Sequence, residues 1–82
     1  MNEFVIMETQ KIRQMIFSYD IQPAIVKTIG LMEKLLVENK DTPVAQKLNS
    51  IMPHLMSALE CKDYLLFADI LSFEIPNVFA IN

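Results

Sequence analysis

One histidine, one cysteine and one aspartate set in an apolar run are the residues here whose types could support chemistry. His54 supplies an imidazole, a common general base and metal ligand. A metal site needs further ligands at fixed spacing, and the chain holds no HxxxH, ExxH or CxxC pattern. Cys61 sits beside Lys62, and a nearby cation lowers a thiol pKa. Nucleophilic catalysis also needs a base, and His54, seven residues earlier, lies on a different helical turn. Asp69 lies inside LLFADILSF with Leu65 at i−4 and Ser72 at i+3. It has no local cation, so a covered carboxylate there would need solvent or a partner. The expectation is that Asp69 and Ser72 mark a thin exposed edge; the alternative is a pairing across an interface that sets register. Paired carboxylates, glycine-rich phosphate loops and nucleophile elbows are absent from the sequence. The chain therefore reads as non-enzymatic, with no catalytic residue, no metal site and no cofactor.

The elements that carry these residues are helices. One glycine and four prolines punctuate 82 residues. Between them the periodicity predicts an all-α, up-and-down bundle of three longer helices, at about 3–19, 21–38 and 43–61, and a shorter apolar fourth at about 63–75. In the first, Phe4, Val5, Ile12, Met15, Ile16 and Tyr19 fall within an arc of about 120°. Ile6 and Phe17 lie off that stripe and flank Arg13 as a second contact patch. Asp20 is placed as an N-cap with Pro23 in the first turn of the second helix. Gly30, inside that helix, costs about 1 kcal/mol relative to alanine and leaves room for a neighbouring helix to approach. Thr42 followed by Pro43 is the expected start of the third helix. Pro53 projects onto its polar face, so one bent helix is favoured over two. Pro76 is expected to stop the fourth helix at Ile75.

The fourth helix carries the main functional expectation. Tyr64, Phe67, Ala68, Leu71 and Ile75 share one face, and Leu66, Ile70 and Phe73 share another. A helix apolar on two faces must be covered on two faces. A chain of this size buries only about 60% of the surface its unfolded form exposes. The eight residues, with Phe17 and Ile6, are therefore expected to form an interaction surface. The tail VFAIN, equally apolar, reads as a segment docked onto the bundle or as the start of a longer chain. The 82 residues otherwise read as one helical domain.

Composition limits the partners. Seven basic and ten acidic residues give a net charge of −3, and the basic residues form no cluster. Nucleic acid and anionic membrane both require local positive charge, so neither is expected. The longest run without a formal charge, residues 48–59, is too short to span a bilayer. The N-terminus lacks the basic region of a signal peptide, and a lone cysteine suits a reducing cytoplasm. The block ALECKDYLLFADIL loosely resembles the turn of a tetratricopeptide-type hairpin, but no second copy appears at its 34-residue period.

Three functions are then expected in order. The first is a protein–protein interaction module, a homodimer or a subunit of a small helical complex. The second is a small acidic chaperone or regulator that holds an amphipathic client segment in a groove walled by Met32, Met52 and Met56. In size, acidity and helicity the chain looks like the small bacterial export chaperones of flagellar and type III secretion systems. The third is a bundle that encloses an apolar ligand.

Overall fold

The computed structural model describes residues 3–79, and these form four helices with no strand among them. They are α1 (Glu3–Phe17), α2 (Ile21–Glu38), α3 (Pro43–Glu60) and α4 (64–78). Each helix packs beside the next and α4 closes back onto α1, while α1 faces α3 and α2 faces α4 across the diagonals. Short turns make successive helices antiparallel, so the architecture is the expected up-and-down bundle. Its radius of gyration, 11.9 Å, matches the roughly 12 Å of a well-packed domain this long.

Local chemistry explains where the helices begin and end. α1 and α3 finish in the same way. Tyr19 and Lys62 adopt left-handed backbone, with φ of 60° and 56°. The next amides reach back, Asp20 N–H to Met15 O and Asp63 N–H to Ala58 O, both at 2.8 Å. These bonds satisfy carbonyls that a helix end leaves open. Asp63 then caps α4 by accepting the Leu66 N–H at 3.1 Å. Asp20 occupies the corresponding place before α2, but its side chain makes no capping bond and only its carbonyl accepts, from the Ala24 N–H. Thr42 caps α3 through the Ala45 N–H, and Pro43 follows as expected.

Pro53 and Pro76, the two prolines beyond the first turn of their helices, behave differently from one another. Pro53 sits exposed inside an unbroken α3, as its polar-face position implied. Pro76 does not stop the fourth helix, which continues through Ile75–Val78. Just before it, Ile70–Glu74 widens into a π-helical turn, and the Ile75 N–H bonds to Ile70 O. Proline lacks a donor and its ring collides with the carbonyl four residues earlier in a regular helix. The wider turn displaces that carbonyl, so the chain passes the proline without breaking.

Burial repeats along the chain. Val5, Ile12, Ala24, Thr28, Met32 and Leu35 are buried, and so are Leu48, Leu55, Phe67, Leu71, Ile75 and Val78, each forty-three residues later. The matching turns at Tyr19 and Lys62 keep the same offset. The bundle is thus two similar helical hairpins packed on each other, and each supplies the cover the other lacks. Two buried threonines sit in this core; Thr9 and Thr28 donate to the carbonyls of Val5 and Ala24 at 2.9 and 2.7 Å, which satisfies their hydroxyls internally.

Candidate interaction surfaces

The residues expected on the interaction surface divide sharply. Phe67, Ala68, Leu71 and Ile75 are buried in the bundle's own core, and Ile70 joins them. These five are covered within the chain because α1 and α3 clasp α4 from both sides. Tyr64 and Ile6 are half-buried. Leu66 (46% exposed), Phe73 (60%) and Phe17 (48%) remain open to solvent, and Leu65 (61%), missed from sequence, joins them. One apolar face of the fourth helix is therefore satisfied internally and only a remnant of the second is not.

Other expectations also shift. Phe4 and Tyr19, placed on the buried stripe of α1, are exposed. Tyr19 lies in the turn after α1 ends, so it leaves the helical register. At Gly30 an added Cβ would meet nothing within 4 Å. No close helix approach occurs there, although Gly30 shares an open hollow with Phe4 and Glu8 of α1. Phe79 is half-buried against the core, which docks that part of the tail; residues 80–82, including Ile81, lie outside the described residues.

The polar candidates stay apart. His54 is exposed on α3 and lines a shallow hollow with Ser57, Leu66, Ile70 and Glu74. Cys61 is exposed at the end of α3. Asp69 is half-buried and joins no ion pair among the described residues. Among the described residues no three His, Cys, Asp or Glu side chains are grouped to hold a metal.

A second surface lies at the seam between α2 and α3, which meet least of the four adjacent pairs. Here an apolar groove is walled by Ile25, Ile29 and Met32 on one side and Met52, Met56 and Leu59 on the other, with Phe67 among its lining residues. Sequence placed Met32, Met52 and Met56 together as possible groove walls, and all three line it. Ile29 and Met56 are each 49% exposed, so the groove opens outward. Its free space is about 40 Å³, close to the roughly 30 Å³ share of one water. Enclosed ligand sites are nearer 300–1,000 Å³.

Charge is distributed unevenly around the bundle. Lys27 reaches from α2 to Glu8 on α1 at 3.5 Å, and Lys11 meets the same carboxylate at 3.1 Å. The Lys11 hydrogen bond holds the Glu8 carboxyl below its ordinary range, with both lysine charges adding to the effect. Lys34 lies 5.5 Å from the Phe4 ring centre and bonds Glu38 at 3.2 Å. Arg13 covers Phe17 at 4.9 Å. The cations of α2 thus serve its α1 side. On the groove side, Glu33 and Glu60 follow Ile29 and Met56 by four residues, one turn along each rim.

Among the described residues no helix is long and apolar enough to cross a membrane. No protein-family model matches the chain, and no curated protein or solved structure is significantly similar to it.

Proposed function

We propose that this chain is a non-enzymatic protein–protein interaction module, working as a homodimer or as a subunit of a small helical complex. The observation that carries this reading is the outer strip of α4. Leu65, Leu66 and Phe73 remain exposed there although Phe67, Ala68, Ile70, Leu71 and Ile75 of the same helix are buried, and Phe17 is exposed on α1. Isolated surface leucines need no explanation, but large apolar side chains recurring along one short helix are the usual signature of a contact face. Half-buried Asp69 belongs to the same helix and would be satisfied by a cation from a mate. Sedimentation equilibrium at micromolar concentration tests the reading: a dimer that becomes monomeric in Leu66→Ser/Phe73→Ser, with unchanged helicity, is the expected result. A monomer that captures no partner through this strip would overturn it.

The α2–α3 groove favours a second reading, a chaperone-like regulator holding an amphipathic client helix. Methionine walls suit a groove whose occupant changes, because three rotatable bonds and a polarisable sulfur let them repack. The small free space argues for this over an enclosed apolar ligand. Binding of a hydrophobic dye to the groove, displaced by a client peptide, is the expected outcome. Dye that binds elsewhere, or not at all, counts against it.

A further inference from the structure

We propose that the α2–α3 groove receives an amphipathic helix with basic flanks; this rests on the second reading above. The groove runs from Ile25 to Met32 on α2, a rise of about 10 Å, or two helical turns. Over that length a docked helix presents anchors at i, i+4 and i+7. The slot holds no side chain as it stands, so an anchor enters as Met52 and Met56 swing aside, a movement their unbranched stems permit.

The rim selects the charge of the occupant. Glu33 stands one turn beyond Ile29 and Glu60 one turn beyond Met56. Because α2 and α3 are antiparallel, the two carboxylates lie at opposite ends of the groove. The other two corners, three residues before Ile25 and Met52, are Gln22 and Asn49, which are uncharged and exposed. Lys27 and Lys34 are occupied on the far side of α2. An occupant with a lysine or arginine near each end therefore meets a carboxylate at each end.

The test uses the whole chain and two 18-residue helical peptides with leucines at i, i+4 and i+7, one flanked by lysines and one by glutamates. Fluorescence anisotropy should show the lysine peptide binding about tenfold more tightly than the glutamate peptide, with the difference shrinking at high salt. Glu33→Lys/Glu60→Lys should reverse the preference, and Ile29→Ser/Met56→Ser should abolish both. All four positions are exposed, so far-UV circular dichroism should be unchanged. Equal binding of both peptides at the groove overturns the charge selection and leaves the groove reading standing. Binding of neither, or binding mapped by amide shifts to the outer strip of α4 at Leu65 and Phe73, overturns the groove itself. Self-association lost in Ile29→Ser/Met56→Ser makes the occupant a second copy and overturns the proposal.

Discussion

Moving the chain's glycine should stabilise the fold twice over. Its one glycine, Gly30, sits in the middle of α2, where an added Cβ meets nothing within 4 Å and the backbone is helical. Meanwhile Tyr19, Asp41 and Lys62 hold left-handed backbone with φ of 60°, 62° and 56°. A residue with a Cβ is disfavoured there by about 1–2 kcal/mol, a strain glycine escapes. Gly30→Ala recovers about 1 kcal/mol of helix propensity and loses no contact. Lys62→Gly relieves the left-handed strain, offset by the extra freedom glycine gains when unfolded, about 0.5–1 kcal/mol. The net gain there is roughly 0.5–1 kcal/mol, with an exposed side chain as the only loss. Gly30 lies within α2 and Lys62 in the turn between α3 and α4, without shared partners, so the double variant should gain about 1.5–2 kcal/mol. Against a typical stability of about 4–12 kcal/mol for this length, that is a large fraction. Each kcal/mol moves the melting midpoint of a domain this small by about 4–8 °C. Urea titration and thermal melts of the two singles and the double check the sum. Destabilisation by Gly30→Ala would mean that another helix packs at that surface. Destabilisation by Lys62→Gly would refute the left-handed turn.

Three further outcomes separate the buried parts of the structure from the exposed ones. Phe67→Ala should cost about 3–5 kcal/mol, while Phe73→Ala should stay within about 0.5 kcal/mol; equal losses in chemical denaturation would erase the distinction between the two faces of α4. Ser72 has a buried hydroxyl oxygen with no hydrogen-bond partner among the described residues, so Ser72→Ala should raise stability by about 1 kcal/mol, and a drop would show that the oxygen is bonded. Glu8 is held below its ordinary 4.5 by Lys11 and then Lys27. Its unfolded form binds a proton first on acidification, so its contribution is present above about pH 4.5 and is lost as pH falls through the lower folded value. Glu8→Gln should flatten the acid limb of stability against pH by less than about 1 kcal/mol, as befits a surface cluster; an unchanged limb would show that the pairs do not form in solution.

Much of this architecture is set by local chemistry and is readable along the chain. Thr42-Pro43 starts a helix because a hydroxyl accepts an amide and a proline needs no donor in the first turn. Pro53 is tolerated because it falls on the solvent side of a stripe that keeps its register. Met32, Met52 and Met56 could be proposed as groove walls because each falls on the apolar stripe of its own helix. What period alone does not reveal is how far each wall closes. The fourth helix shows the limit: its two apolar faces looked like an excess, yet Phe67, Ile70, Leu71 and Ile75 are covered because a second, similar hairpin stands opposite. Burial is a property of neighbours, and those of α4 are α3, just before it, and α1, at the other end of the sequence. Tertiary packing likewise carries the helix past Pro76, since a π turn is held only where surrounding side chains fix it. It also leaves the α2–α3 seam slack while sealing the α4–α1 seam, because the side chains meeting there decide how near two backbones can come.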